Sequence, residues 1–422
     1  MVIPWKNQNS TDEFRAAYTQ LARAVKCQSE ARALYVDTQE KFEELLDVIS
    51  TAEVLAIDTE FIHDKTYYPR LCLIQIATEN CEAIIDPFAP LQLELFSKVL
   101  SDENIMKVFH AGDQDRQILY RLTQSPVRPI FDLQYAVMLL GQSQQMSLAR
   151  IVRLYCDIEL EKGESFSDWS YRPLSESQIK YAIDDVRYLP SIYQKIVQEL
   201  ASCGRLEWLQ EDFAAMENES SFETEDDDRW KKLKGLTSLK AQQLAIAREL
   251  CSWRERVSRK RDLPRKWMLP DEIIVQICKN APDNLEELVK IRGVKRYLKI
   301  KQLREILELI DCGKNMPQIT WPKHEPVFRQ DFHITAKIDM MNALIHLRSK
   351  ELQIASIYLA KQEDLMRLAL GERNELEVLS GWRAEFIGNE LIRLLNGELS
   401  LSLSGDDLKV TLTEQSVADT AH

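Results

Sequence analysis

The stretch V-L-A-I-D-T-E-F, residues 54–61, decides how the first half of this sequence is interpreted. Its four leading apolar residues predict a short buried strand, which is followed by two carboxylates, Asp58 and Glu60. Side chains alternate across a strand, so residues two apart lie on one face. Two carboxylates on one face repel each other unless water or a cation neutralises them, and Mg²⁺ prefers such oxygen ligands. Taken alone, the stretch fits a divalent-cation site and a solvated strand end equally well.

Composition limits the class of protein. The chain has 422 residues, of which 45% are hydrophobic and 29% charged, as expected of a globular protein with about two to four domains. Its apolar runs are too short to cross a membrane, and its first residues contain no signal-peptide core. The scattered cysteines indicate neither a zinc site nor a disulfide framework. We therefore expect a cytoplasmic protein that has no need to be more than a monomer.

The net charge of -13 is unevenly distributed. Residues 207–228 contain ten acidic residues and no basic one, whereas residues 229–266 contain thirteen Lys or Arg and three acids. The end of the acidic segment, residues 213–228, is too charged and too poor in aliphatic residues to pack, which predicts a linker. The basic segment could bind a phosphate backbone despite the acidic total, or it could be a solvated helical face.

The order of predicted strands and helices divides the rest of the chain. After an N-terminal extension, residues 1–32, three successive β-favouring segments predict an antiparallel meander, and helices then alternate with strands. We expect one mixed α/β domain over residues 33–212. Residues 229–312 and 331–403 are helical, and each contains a glycine turn between amphipathic segments. We interpret these two regions as tandem copies of one small all-α domain.

Two further motifs place acidic residues beside predicted helices. In V-F-H-A-G-D-Q-D a strand is followed by a helix, with Asp113 and Asp115 near the helix N-terminus. An acid at this position is also what helix capping needs, and we assign that role to Asp113. In Y-A-I-D-D, Tyr181 and Asp185 are four residues apart and share one helical face, whereas Asp184 points elsewhere.

The motifs D-T-E-F, H-A-G-x-x-D and Y-x-x-x-D, in this order, resemble the three exonuclease motifs of the tyrosine-containing branch of the DEDD superfamily. The intervening T-Y-Y-P-R-L-C-L-I-Q-I, S-D-W and R-P-L are similar to those of the ribonuclease D family. G-W-R-A-E, near the end, resembles the second of that family's helicase-and-RNase-D C-terminal (HRDC) modules. The resemblance covers roughly residues 33–400. It implies a ribonuclease-H-like α/β exonuclease domain followed by two small all-α HRDC-type domains, and hydrolytic removal of nucleotides from RNA 3′ ends.

The resemblance also implies the site residues: Asp58, Glu60, Asp115 and Asp185 as metal ligands, with Tyr181 as a fifth catalytic residue. Four carboxylates can hold two divalent ions, Mg²⁺ or Mn²⁺, about 4 Å apart, one activating a water and the other stabilising the leaving 3′ oxygen. We expect Asp58, on the central strand, to bridge the ions. A tyrosine with a pKa of about 10 is a poor base at neutral pH, so we expect Tyr181 to orient the water. The alternative is a Tyr181 ring that only packs.

Other residues are predicted to contact RNA. Tyr67 and Tyr68 could stack on bases of a single-stranded 3′ end, although paired aromatics beside a strand are as often part of a core. Gln75 and Lys162 are candidates for contacts with substrate phosphate. In the first helical domain we select five basic residues as a surface that binds the RNA backbone by charge and shape: Arg254, Arg256, Arg259, Lys260 and Arg261.

We therefore expect a metal-dependent 3′-5′ exoribonuclease. That it trims tRNA precursors and other small structured RNAs is implied by the family resemblance. The alternatives are a 3′-5′ DNA exonuclease, because the same motifs serve both polymers, and a catalytically silent nucleic-acid-binding protein on the same fold. The complete set of five motif residues argues against the silent protein.

Overall fold

The computed structural model describes residues 33–63, 65–161, 163–164, 167–218, 226–323, 332–405 and 407–413. The predicted N-terminal extension, residues 1–32, lies outside the described residues, as does Lys162. The α/β domain (residues 33–217), the first helical region (residues 226–320) and the second helical region (residues 332–413) are described in turn.

A six-stranded mixed sheet forms the centre of the α/β domain, with the strand order β1-β4-β3-β2-β5-β6. Strands β2, β3 and β4 are antiparallel neighbours, which confirms the predicted meander. On the other side of β2, strands β5 and β6 run parallel to it, so β2 is a central strand. The strands are β1 (Leu34–Val36), β2 (Val54–Ile62), β3 (Arg70–Ala77), β4 (Glu82–Ile85), β5 (Met106–Phe109) and β6 (Ile130–Asp132).

Eight α-helices accompany the sheet in the described part of this domain. They are α1 (Gln39–Ile49), α2 (Ser97–Leu100), α3 (Asp113–Thr123), α4 (Leu133–Ala136), α5 (Leu148–Cys156), α6 (Glu176–Asp184), α7 (Leu189–Ser202) and α8 (Trp208–Glu217). Helix α6 begins with a capping box, in which Ser175 and Gln178 each accept a hydrogen bond from the other's backbone N–H. Pro190 lies in the first turn of α7, where its missing N–H costs little.

The first part of the predicted acidic linker is helical. Helix α8 continues to Glu217, and its Leu209 and Phe213 are buried, the latter against Phe131 of β6. The Glu217 carboxylate accepts a hydrogen bond from the backbone N–H of Ile130. The prediction that a linker begins at residue 213 is therefore wrong. Leu209 and Phe213, four residues apart, are enough to bury one face of this short acidic helix. A high charge count alone therefore does not indicate that the segment cannot pack.

The first helical region has a core of its own, built around Leu250, Ile274 and Ile306. Two 3₁₀ turns, Asp226–Lys232 and Leu236–Ser238, precede its long first helix. Its helices are α9 (Ala241–Arg261), α10 (Arg265–Met268), α11 (Asp271–Asn280), α12 (Leu285–Lys290), α13 (Val294–Tyr297) and α14 (Ile300–Asn315).

The second helical region repeats part of this order. In each region a helix of 21 residues is followed by a helix of four. Gly293 and Gly381, the predicted turn glycines, both have positive φ. The interpretation as two copies of one domain stays a prediction. The helices here are α15 (Phe332–Leu352), α16 (Ser356–Leu359), α17 (Gln362–Ala369), α18 (Gly381–Arg383) and α19 (Asn389–Leu395), with a π turn at Ala384–Gly388.

Two properties of the second helical region were not predicted. It ends in a hairpin of β7 (Leu399–Ser404) and β8 (Asp407–Leu412), so it is not wholly helical. It also shares one continuous core with the α/β domain. Trp382 stacks on Trp208 with ring centroids 4.5 Å apart, and Arg205 donates hydrogen bonds to the Leu352 and Leu139 carbonyls. Throughout the described chain, every helix is too short or too polar to cross a lipid bilayer.

Candidate active site

Three predicted carboxylates meet at the end of the central strand. Asp58, Glu60 and Asp185 each have a carboxylate oxygen within 4.8 Å of the other two. Strand β2 presents Asp58 and Glu60, and Asp185 directly follows the last residue of α6. The three residues line a cleft of about 350 Å³, together with Asp115 and Tyr181. All five motif residues thus lie in one cleft.

The fourth carboxylate, Asp115, comes from helix α3 and is oriented by a residue of β2. It lies in the first turn of α3, it is 7% exposed, and it accepts a hydrogen bond from the Thr59 hydroxyl. Asp113 faces away and pairs with Arg116 at 2.5 Å. The capping role predicted for Asp113 is wrong, because the N-cap of α3 is Gly112 and no side chain caps this helix.

The turn between β5 and α3 is what brings Asp115 to the cleft. Ala111 has a φ of 60°, and a Cβ at Gly112 would lie 2.5 Å from the Cβ of Phe109, so only glycine fits there. The buried Asp132 carboxylate accepts hydrogen bonds from the backbone N–H groups of Ala111 and Gly112. Asp132, which the sequence did not single out, therefore fixes the H-A-G turn.

Burial raises the pKa of all four motif carboxyls in the cleft, and repulsion from neighbouring carboxylates adds to this at Asp58, Glu60 and Asp185. Burial, followed by the charge of Asp115, raises the pKa of Asp58. Burial and the charge of Asp185 raise the pKa of Glu60 to about 8. Burial and the charge of Asp184 raise the pKa of Asp185 to about 7. Burial also raises the pKa of Asp115, although the hydrogen bond from Thr59 opposes this.

This charge balance shows what the cleft can bind. Buried carboxylates at such short range cannot all remain ionised at neutral pH without a neutralising charge. Hard divalent cations take oxygen ligands and supply that charge. The donor set, all carboxylate oxygen, therefore fits divalent metal ions.

Tyr181 lies on α6 one turn before Asp185, and both residues line the cleft. Burial, followed by the negative charge of Asp185, raises the pKa of the Tyr181 phenol above its ordinary value of 10. The phenol therefore stays protonated at neutral pH. Its ring lies 6.0 Å from the ring of the buried Trp169, which holds it in place.

Two arginines outside the three acidic motifs hold the surrounding elements. Arg187 donates to Glu82 of β4 at 2.7 Å and to Asp184 at 3.1 Å, which attaches the end of α6 to the sheet. Arg172, of the R-P-L motif, donates to the Asp86 carboxylate and to the Cys72 carbonyl.

His110 also lines the cleft. Burial lowers the pKa of His110 to about 4, so its imidazole is neutral at neutral pH.

Comparison with known proteins agrees with this geometry. Residues 34–201 match the 3′-5′ exonuclease family. Residues 243–310 match the HRDC domain. Ribonuclease D of Sphingobium indicum is 35% identical over 374 residues, which cover 87% of this chain and 95% of that protein. The chain belongs to the ribonuclease D family. Ribonuclease D of Zymomonas mobilis is 33% identical over 373 residues, with the same coverage of both chains.

Solved structures agree with the ribonuclease D assignment. The crystal structure of Escherichia coli RNase D aligns with a TM-score of 0.73 at 26% identity, covering 86% of this chain and 99% of that one. The catalytic core of RRP6 from Trypanosoma brucei aligns with a TM-score of 0.51 at 23% identity over 70% of this chain and 88% of that one, which shows a shared fold. This ribonuclease D family member is a 3′-5′ exoribonuclease with a DEDD exonuclease domain, and its substrate is RNA.

Within this ribonuclease D framework, two of the predicted RNA contacts in the α/β domain are wrong. Tyr67 is only 7% exposed, and its hydroxyl donates to Glu255 of the first helical region, so its ring is not available to a base. Gln75 is fully buried on β3 opposite Asp58, where it cannot reach a substrate phosphate. Tyr68 is half-buried, and the Arg121 guanidinium lies 3.1 Å from its ring centroid.

Of the five basic residues predicted to bind RNA in the first helical region, some are buried or paired within the protein and others are exposed. Arg254 is buried and donates to the Leu269 carbonyl and to Asp271, so its assignment to an RNA-binding surface is wrong. Arg259 donates to the Tyr67 hydroxyl. The remaining three are exposed and stay candidates for RNA binding: Arg256, Lys260 and Arg261.

Proposed function

We propose that this exoribonuclease trims the 3′ extensions of tRNA precursors and other small structured RNAs, releasing nucleoside 5′-monophosphates, and that it acts as a monomer. The observation that carries the chemistry is the meeting of Asp58, Glu60 and Asp185 at the end of β2, with Asp115 and Tyr181 in the same cleft. The preference for structured RNA is supported by the E. coli RNase D structure, which is described as an exoribonuclease involved in structured RNA processing.

We further infer that the four carboxylates hold two divalent ions, Mg²⁺ or Mn²⁺. Such ions activate a water for attack on the terminal phosphodiester and stabilise the leaving 3′ oxygen. The charges of Asp115, Asp185 and Glu60 all raise the pKa of Asp58, which supports a central position for Asp58 among the residues that would hold the ions. Thr59 fixes the direction of the Asp115 carboxylate through its hydroxyl.

Tyr181 orients the attacking water. A phenol whose pKa lies above 10 donates a hydrogen bond at neutral pH and does not accept a proton. Its position one helical turn from Asp185 directs the hydroxyl into the cleft beside the carboxylates. We therefore propose that Tyr181 positions the water and does not deprotonate it.

The test is digestion of a 5′-labelled tRNA that carries a 3′ extension, with and without Mg²⁺, by wild type and Asp58→Asn. Wild type should yield a metal-dependent ladder that shortens from the 3′ end and stops near the mature terminus. Asp58→Asn should lose cleavage by at least about 1,000-fold yet retain RNA binding, because the exposed basic residues lie outside the cleft.

A parallel digestion compares RNA and DNA oligonucleotides of the same sequence. Faster loss of nucleotides from DNA, or a bound but untouched tRNA, would contradict the proposal. Substitution of Mn²⁺ for Mg²⁺ in the same assay identifies the preferred ion, and sedimentation of the RNA-free protein tests the monomer.

A further inference from the structure

Tyr67 lies where the α/β domain contacts the first helical region. Its hydroxyl donates to the Glu255 carboxylate at 2.7 Å. It accepts hydrogen bonds from Arg259 at 3.2 Å and from Arg265 at 3.0 Å. The Arg265 guanidinium also lies over the Tyr67 ring, 4.6 Å from its centroid. One phenol of the α/β domain thus joins three charged side chains of the first helical region.

Glu255 is the buried centre of this contact, with no exposed surface. Arg265 donates to its second carboxylate oxygen at 2.5 Å. Burial alone would raise the pKa of Glu255, but the hydrogen bonds from Arg265 and Tyr67 outweigh it and lower the pKa. Glu255 is therefore ionised, and an ionised carboxylate makes a stronger hydrogen bond to Tyr67 than a neutral one.

The loop around Tyr67 is also held through its backbone. The Asp262 carboxylate accepts hydrogen bonds from the N–H groups of both Tyr67, at 3.0 Å, and Tyr68, at 3.1 Å. On its other side the Tyr68 ring is covered by Arg121 of α3. The loop is therefore clamped between α9 of the first helical region and α3. We call the set Tyr67, Glu255, Arg259, Asp262 and Arg265 the Tyr67 latch.

The loop held by this latch is continuous with the catalytic strand. The described residues 63 and 65–69 lie between β2, which carries Glu60, and β3. The regular pairing of these strands is interrupted between Glu60 and Phe61, and Phe61 lines the cleft. The end of β2 is therefore not fixed by a regular ladder alone. Helix α3, which holds the loop through Arg121, carries Asp115 in its first turn.

We propose that the Tyr67 latch is a positioning device for the exonuclease site, and that Tyr67 is its central positioning residue. Through the latch, the first helical region holds the loop and thereby Glu60, so this region contributes to catalysis on substrates too short to be gripped by it. The proposal rests on the function proposed for the cleft. It assigns the first helical region a role that is separate from RNA binding.

The test compares hydrolysis of a 5′-phosphorylated RNA dinucleotide by wild type, Tyr67→Phe and Tyr297→Phe. Tyr297→Phe is the matched control, because the Tyr297 hydroxyl makes no hydrogen bond within the described part of the chain and only its ring contacts Arg296. Tyr67→Phe should lower kcat on the dinucleotide by roughly 10-fold to 100-fold, as displaced catalytic groups do, with KM little changed. The control should match wild type.

Two results would overturn the proposal that the Tyr67 latch positions the exonuclease site. Tyr67→Phe could hydrolyse the dinucleotide at the wild-type rate, or it could lose activity on long RNA alone, which would mean that the region acts by gripping RNA. Failure of the proposed function is distinguishable, because wild type would then leave the 3′-extended tRNA untrimmed, or Asp58→Asn would still trim it.

A second pair of variants acts through the backbone contacts. Asp262→Gly removes the acceptor and tolerates the positive φ of 48° at this position. Asp262→Asn keeps an acceptor oxygen and also tolerates that φ. The glycine variant should expose the amides of residues 67 and 68 to hydrogen exchange and weaken Mn²⁺ binding measured by calorimetry, whereas the asparagine variant should restore both. Faster exchange with unchanged Mn²⁺ affinity would contradict a link between the latch and Glu60.

Discussion

The hydroxyl of Thr59 donates a hydrogen bond to the carboxylate of Asp115, 56 residues further along the chain. Thr59 stands between Asp58 and Glu60 on β2, whereas Asp115 stands in the first turn of α3. One side chain therefore sets the distance between the first two acidic motifs. The bond also stabilises the ionised form of Asp115, whose pKa burial would otherwise raise further.

Replacement of Thr59 by valine should shift the pH dependence of cleavage. Without the hydroxyl, the pKa of Asp115 rises, so a higher pH is needed to ionise it and bind metal. A hydrogen bond to a charged group contributes about 1.5 kcal/mol or more, so the acid limb of the kcat/KM profile should move up by about one pH unit. Thr59→Ser keeps the hydroxyl and should reproduce the wild-type profile. An unshifted profile for Thr59→Val would show that the bond has no role in metal binding.

The crowded carboxylates should make the metal-free protein less stable at high pH. The pKa of Glu60 is raised from 4.5 to about 8 and that of Asp185 from 3.8 to about 7. Between the ordinary and the raised values the folded state holds protons that the unfolded state has released, so stability falls as pH rises through this window. Asp185→Asn should therefore raise the free energy of unfolding of the metal-free protein by about 1 kcal/mol near pH 8.

Thermal melts of wild type and Asp185→Asn, at about pH 5 and about pH 8, measure this effect. The difference between the two proteins should be larger at the higher pH. Mg²⁺ should raise the melting temperature of wild type more than that of the variant, because a ligand stabilises the state that binds it. A variant that is less stable than wild type at both pH values would contradict the repulsion described here.

The sequence predicted the local features of the site because they depend on residues close together in the chain. Strand alternation puts Asp58 and Glu60 on one face, and helical spacing puts Tyr181 near Asp185. The capping box at Ser175 follows from four consecutive residues. Each of these features obeys a short-range rule, and the structure places each as expected.

The features that the sequence did not predict depend on distant partners. Tyr67 is buried against the first helical region, where its hydroxyl donates a hydrogen bond to Glu255, 188 residues away. Arg254 counts as one positive charge in the sequence, but its guanidinium pairs with Asp271 inside its own domain and is not available to RNA. The shared core includes the stacked rings of Trp382 and Trp208, which are far apart in the chain. No spacing rule reveals which surface another region will cover.

That shared core makes a prediction about stability. Trp382→Ala removes a ring stacked on Trp208 and should lower the free energy of unfolding by about 2–3 kcal/mol. Phe332→Ala, at a ring that is 78% exposed, should change it by less than about 0.5 kcal/mol. Chemical denaturation followed by fluorescence measures both. If Trp382→Ala matched the Phe332→Ala control, the second helical region would not stabilise the α/β domain.

The measurement that tests the account most directly is single-turnover cleavage of a 5′-labelled RNA by wild type, Asp115→Asn and Asp113→Asn in Mg²⁺. The two variants change acids of the same helical turn, one in the cleft and one paired with Arg116 outside it. The account predicts that Asp115→Asn loses cleavage by about 1,000-fold or more, whereas Asp113→Asn cleaves at close to the wild-type rate. Cleavage that survives Asp115→Asn, or is abolished by Asp113→Asn, would contradict the four-carboxylate site.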